Sequence, residues 1–128
     1  MTRYQITSGG YLHGDPGETD IEVDLRPYRD PHAAANLRYL TAHDQEVQDA
    51  VRGTPGVTDL VDETVARALA LDEDEVTITS FCAGGRHRGP VAGEMIADGL
   101  RAAGGEVDLF HRDLGKAVVE RAVREVDR

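Results

Sequence analysis

The chain has 128 residues, a formal net charge of −10 and a pI near 4.8. That length suits one domain with a single core, read as spanning 1–128, and the acidic balance argues against broad non-specific nucleic-acid binding while leaving room for local basic patches. A lone cysteine excludes an intramolecular disulfide and a cysteine-based zinc site; no apolar run approaches the ~18 residues of a membrane span and no signal-like segment opens the chain, so a cytoplasmic protein without a membrane partner is expected.

In chain order, Arg3 to Ser8 alternates in polarity and ends at Gly9-Gly10, which reads as a first strand followed by a turn. After a polar, turn-rich stretch over 13–18, Ile21 to Arg26 alternates cleanly as a second strand. Pro27 and Pro31 exclude a regular helix or central strand beyond it, so Asp24, Arg26, Arg29 and His32 fall at a strand end and in the next loop. Residues 33–40 show no clear period. Thr41 or Asp44 suits the cap of a short helix through Val47, Ala50 and Val51, which stops at Gly53-Thr54-Pro55-Gly56. Val57, Leu60, Val61, Thr64, Val65, Ala68 and Leu69 then form the apolar stripe of a longer helix. The acidic run Asp72 to Glu75 reads as a solvated connector.

The most informative stretch follows. Val76 to Phe81 is a β-branched strand, and Pro90 to Ala103 has apolar residues at helical spacing. Between them lies Cys82-Ala83-Gly84-Gly85-Arg86-His87-Arg88-Gly89. Gly84 and Gly85 are expected to take positive φ and turn successive amides inward as a nest for an anion. Pro90 suits a first helical turn, whose spare N–H groups add positive potential, and the Arg88 guanidinium offers two parallel donors to two phosphate oxygens. Gly93 and Gly99 each weaken the helix by about 1 kcal/mol relative to alanine, which points to close packing. Glu106 to His111 reads as a last strand, and Arg112 to Lys116 turns into a terminal helix on Ala117, Val118, Val119, Ala122, Val123 and Val126.

Strands alternating with helices define an α/β fold: a mostly parallel sheet of about four strands flanked by helices. Ligands of such sheets lie beyond the carboxyl ends of the strands. That rule gathers Asp24, Arg26, Arg29 and His32, then Cys82 to Arg88, then His111, Arg112 and Lys116 into one cleft. A concentration of basic groups there suits a phosphorylated small molecule, a phosphosugar or nucleotide, better than a long polyanion. The histidines lack metal-ligand spacing, so neither a metal nor a cofactor is expected.

These residues resemble a known family, the C-terminal domain of the RNase adapter RapZ. The family's Cys-Thr-Gly-Gly-Lys-His-Arg-Ser loop is matched by Cys82 to Gly89. Its Asp-Val-Arg, Pro-His, Leu-Arg, Thr-Gly-Leu-Asp and His-Arg motifs are similar to Asp24-Leu25-Arg26, Pro31-His32, Leu37-Arg38, Thr41 to Asp44 and His111-Arg112. The resemblance implies a sensor or adapter domain that binds a sugar phosphate such as glucosamine-6-phosphate, with RNA or an RNase-machinery protein as partner; a homo-oligomer is compatible with it. It also implies that Asp24 and His32 contact the sugar while Ala83, Gly84 and Arg88 hold the phosphate. Ala83 and Gly89 stand where the family has hydroxyl residues, which removes two side-chain donors. No Gly-Xaa4-Gly-Lys-Ser/Thr motif occurs in the chain, and its last residues, Arg124 to Arg128, mix both charges.

The competing reading is catalytic. Cys82 and Arg88 have the Cys-Xaa5-Arg spacing of cysteine-dependent phosphatases, in which loop amides and the arginine hold a phosphate over a thiolate. Asp24, Asp30 or Asp113 would then protonate the leaving group. Phe81 and Gly89 replace the residues that usually flank such a loop, so binding is weighed above catalysis.

Overall fold

The computed structural model describes residues 1–120. Strands β1 (Arg3–Gly10), β2 (Ile21–Asp24), β3 (Glu75–Cys82) and β4 (Glu106–His111) form one sheet in the order β2-β3-β1-β4, with every neighbouring pair parallel. Helices α1 (Gln45–Arg52), α2 (Val57–Ala70) and α3 (Arg88–Ala102) complete a single α/β domain, with 3-10 turns at Tyr11–His13 and Pro31–Ala33. Among the described residues no helix is long and apolar enough to cross a membrane.

Alternation along the strands sets the two faces. Tyr4, Ile6, Ile21, Val23, Val76, Ile78 and Cys82 join one core with Val47, Val51, Val57, Val61, Ala68, Val91, Ile96 and Leu100 of the helices. On the other face, Thr79 meets the Thr19 hydroxyl at 3.3 Å and Thr77 meets Asp20, so residues 11–20 cross the sheet there on the way from β1 to β2. The helical layer is closely packed: a Cβ on Gly99 of α3 would lie 2.8 Å from Val65 Cγ2 of α2. Gly93 has ordinary room, with Leu109 Cδ1 at 3.5 Å from a Cβ built there, so close approach explains one of those two glycines.

Two sequence expectations change. Gly9-Gly10 is not a turn: both residues continue β1 and pair with Phe81 and Cys82. They are small because the neighbouring chain lies on them, a Cβ on Gly10 falling 2.4 Å from the Gly84 carbonyl carbon and one on Gly9 2.6 Å from the Phe81 ring. The terminal helix is absent over Ala117 to Glu120, and its remaining residues, 121–128, lie outside the described part.

The topology marks an opening at the strand ends before any side chain is considered. From β1 the chain leaves toward β2, whereas from β3 it leaves through α3 toward β4, so two adjacent strands send their connections to opposite sides. A crevice opens at such a switch point. The glycine loop occupies it, seated on the end of β1.

Packing predicts opposite effects for two small substitutions. Gly10→Ala drives a methyl into backbone and should destabilise the fold by about 2 kcal/mol or more. Gly93→Ala, in a helix and with ordinary contact distances, should stabilise it by up to about 1 kcal/mol. Urea unfolding of both variants against wild type reads the two signs directly.

Candidate ligand-binding site

Arg88 is the first residue of α3, and its side chain is 4 % exposed. Its Nη1 donates to the carbonyls of Leu25, Arg26 and Tyr28 at 3.1, 3.1 and 2.9 Å, and its Nη2 lies 3.3 Å from Asp30 Oδ2. One guanidinium thus anchors the whole turn after β2 to the start of α3. Its Nε is buried without a hydrogen-bond partner among the described residues.

The loop before it is bound on all sides. Leu12 N donates to Ala83 O at 3.0 Å, Ala42 N to Arg86 O at 2.9 Å, and Gly85 N to Cys82 Sγ at 3.3 Å. Of the two glycines expected at positive φ only Gly85 takes it, at 77°. Gly84 does not, because a single left-handed residue suffices to bring the loop over Gly10. A Cβ on Gly89 would lie 2.7 Å from Ser80 O, so the first turn of α3 is pressed against β3, and Ser80 Oγ donates to Gly89 O at 2.8 Å. Glycine at this position is therefore a packing requirement in this chain.

His87 is buried, with Nε2 2.8 Å from Leu40 O. A carbonyl only accepts, so Nε2 carries the proton. Burial is the main force on this ring and lowers its pKa to about 4, against a smaller upward pull from the Leu40 carbonyl. His87 is neutral at pH 7.

Arg86 donates through Nη1 to Lys116 O at 2.7 Å and through Nη2 to Tyr39 O at 3.0 Å, and its Nε is buried without a partner among the described residues. With Asp30, His32, Cys82, Gly84, His87 and Arg88 it lines a small cavity, whose remaining wall is Val118 and Val119. Two guanidiniums there face one carboxylate. The cavity wall is positive in a strongly acidic protein.

The other candidates lie around this cavity, outside its wall. Asp24 and Arg26 hold each other, Nη2 to Oδ2 at 2.9 Å; the Arg26 hydrogen bond, helped by the charge of Arg88, keeps the Asp24 carboxyl below its usual range. Arg26 also stacks on Tyr11, 3.8 Å from the ring centroid, and Arg112 on Phe81 at 4.8 Å. Arg112 and Lys116 converge on Asp113, which is fully buried and also accepts from Gly10 N at 2.8 Å. Burial pushes the Asp113 carboxyl up, but those hydrogen bonds outweigh it and hold the group far below the usual carboxylate range. His111 sits between Ser8 Oγ at 2.6 Å and Glu94 Oε1 at 3.2 Å, and lines an open groove with Thr41, His43, Arg86 and Leu114. The described residues contain no cluster of three metal-ligating side chains. Sequence reasoning missed Tyr39, Leu40 and Lys116 as carbonyl partners, since a main-chain acceptor leaves no mark on residue type.

A parallel α/β domain with a glycine loop at its switch point defines a broad class of single-domain folds. Within it the chain belongs to the RapZ C-terminal domain family, whose sequence profile matches residues 2–115. Curated relatives agree: a nucleotide-binding protein of Thermobifida fusca is 36 % identical over 121 residues, covering 89 % of this chain and 41 % of its own length. Others named nucleotide-binding protein come from Streptomyces griseus, 35 % identical over 121 residues with 89 % and 37 % covered, and Paramagnetospirillum magneticum, 34 % over 116 residues with 85 % and 38 % covered. The chain spans about two fifths of the length of these relatives.

Two predictions follow the buried charges. Arg88→Met removes the buried charge that faces Asp30 and the donor that three carbonyls share, and should cost roughly 3–5 kcal/mol in urea unfolding. Folding lowers the His87 pKa from 6.5 to about 4, so the unfolded chain binds this proton more readily; stability from this group is complete above about pH 6.5 and is lost as pH falls toward 4. Between pH 7 and pH 4.5 that amounts to about 2 kcal/mol. His87→Gln, which keeps an N–H for Leu40 but does not titrate, should flatten that slope, while the loss due to Asp113 sets in only below its unfolded value near 3.8.

Proposed function

We propose that the chain binds the phosphate of a small phosphorylated metabolite, a nucleotide or a phosphosugar, at the Cys82–Arg88 loop. The observation that carries this reading is the pair of buried Nε–H groups on Arg86 and Arg88 without acceptors among the described residues, beside a cavity where cations exceed anions. A buried donor left unpaired costs roughly 1–3 kcal/mol, and an anionic oxygen would satisfy it. The name of the relatives, nucleotide-binding protein, supports a nucleotide; the match of Asp24, His32 and Arg88 to the family motifs supports a phosphosugar. In a sensor or adapter, occupancy of this loop would be the state that a protein or RNA partner reads.

Phosphatase chemistry is less well supported. Its thiol would be Cys82, which is 2 % exposed. Asp113, ionised far below neutrality, is a poor general acid; Asp24 is locked to Arg26, and Asp30 lies beside Arg88.

Thermal unfolding with inorganic phosphate, nucleoside monophosphates, glucosamine-6-phosphate and glucosamine tests the proposal. A phosphorylated ligand at a hundredfold excess over its Kd should stabilise the fold by about 2.7 kcal/mol, and glucosamine should not. Arg86→Ala should abolish the shift and Arg26→Ala, outside the cavity, should retain it. If no phosphorylated compound at millimolar concentration shifts the transition, the loop is not an anion site.

A further inference from the structure

The cavity at the loop has a volume of about 10 Å³, room for about one water molecule. One phosphate oxygen fits there; the body of a metabolite does not. Arg86 also borders the open groove that runs past Thr41 and His43, and that groove shares His43, His111 and Leu114 with a more enclosed pocket of about 270 Å³ where α1, α3 and the end of β4 meet. Small-molecule sites begin near ~300 Å³. The space for the rest of a ligand therefore lies on the α1–α3 side of Arg86.

This pocket has an apolar base and two polar walls of opposite sign. Val91 and Leu114, 1 % and 7 % exposed, form the base. From α1 come Gln48 and Arg52, one turn apart; from α3 come Glu94 and Asp98, also one turn apart. Gln48 Nε2 donates to Ala42 O at 2.8 Å, which leaves its Oε1 as an acceptor. The Glu94 carboxylate is oriented by the chain's own hydrogen bonds. A carboxylate only accepts, so His111 Nε2 donates to Glu94 Oε1 at 3.2 Å, and in the neutral ring Nδ1 accepts from the fully buried Ser8 hydroxyl at 2.6 Å. Glu94 Oε2 takes no part in that chain, and among the described residues neither Arg52 nor Asp98 is held in an ion pair.

A flat ring whose edges differ in the same way is guanine. Its O6 and N7 accept and match an arginine, whereas its N1–H and N2–H2 donate and match carboxylate oxygens. Adenine carries an acceptor at N1, so a carboxylate there would face a lone pair. A hexose phosphate has no edge divided into donors and acceptors. Resting on the ligand-binding reading above, we propose that this pocket is the base subsite of a guanine nucleotide whose phosphate reaches the loop at Arg86. Arg52 takes O6 and N7, and Glu94 and Asp98 take the N1–H and N2–H2 donors.

Calorimetric titration of the full chain with GMP, AMP, guanosine, glucosamine-6-phosphate and inorganic phosphate tests the proposal in wild type, Asp98→Ala, Glu94→Gln and Arg52→Ala. GMP and AMP carry the same phosphate charge, so their affinity ratio cancels long-range electrostatics. GMP should bind roughly tenfold or more tighter than AMP. Asp98→Ala and Glu94→Gln should bring that ratio to about one with AMP unchanged, and Arg52→Ala should reduce it. Asp98 and Glu94 are exposed on α3, so both variants keep the core intact. Equal affinity for GMP and AMP, or binding of glucosamine-6-phosphate and of neither nucleotide, overturns the base subsite and leaves the anion site standing. A guanine preference that survives both carboxylate variants overturns its assignment to this pocket. If no phosphorylated compound binds, the anion site falls, and guanosine decides the pocket alone: binding lost in Asp98→Ala upholds it, and no binding overturns it.

Discussion

The site depends on one buried cation. Arg88 stands at the junction of β3, α3 and the turn after β2, and its guanidinium is held by carbonyls from Leu25, Arg26 and Tyr28 together with Asp30. An arginine suits this position because its planar fork reaches several acceptors and stays charged at any ordinary pH. Burying the charge is costly, and the carbonyl dipoles and the single carboxylate offset that cost only while the turn keeps its shape. The turn, in turn, carries Asp30 and His32 to the cavity. Arg88 is therefore first an organiser of the cavity, whereas Arg86 is bonded to the main chain at Tyr39 and Lys116.

Local charge arrangement explains how an acidic protein carries a positive cavity wall. Around the carboxyl ends of the strands ions are already neutralised in pairs or clusters: Asp24 with Arg26, and Asp113 with Arg112 and Lys116. These contacts shape loops and leave little field. At the cavity Arg88 pairs with Asp30 while Arg86 is bonded to main-chain carbonyls, and His87 stays neutral through burial, so the excess there is a guanidinium charge whose low-dielectric surroundings screen it weakly. The net charge of −10 is a property of the whole chain and does not predict the potential at this point.

Much of the fold was legible because its signals are local. Alternation in Ile21 to Arg26 and Val76 to Phe81, and the stripe of α2, each report burial on one face, and the strand-helix alternation gives the parallel sheet. The cleft was legible only as a list of chain segments beyond strand ends. Sequence could not say that Asp24 would turn to Arg26, that His111 would face α3, or that Arg88 would bind main-chain oxygen, because those outcomes depend on which side of the sheet each residue faces and on acceptors every residue carries. Gly9-Gly10 shows the same limit. A glycine pair signals a turn or a close approach equally well, and only the neighbouring loop decides between them.

That close approach also determines how firmly the cavity is framed. Gly85 lies so near Gly10 that a Cβ on either would meet the other's backbone within 2.7 Å, and Gly89 is pressed against β3. Arg88 fixes the turn after β2 from the other side. With the loop, the strand end and the turn all held by backbone contacts, the cavity cannot widen through any of them without breaking the core's own connections. Val118 and Val119 add an apolar wall from a stretch that, like Asp30, Gly84, Arg86 and His87, lies outside helix and strand. The shape of this cavity is therefore set by main-chain contacts of β1, β3 and the turn after β2, and side chains decide only its charge.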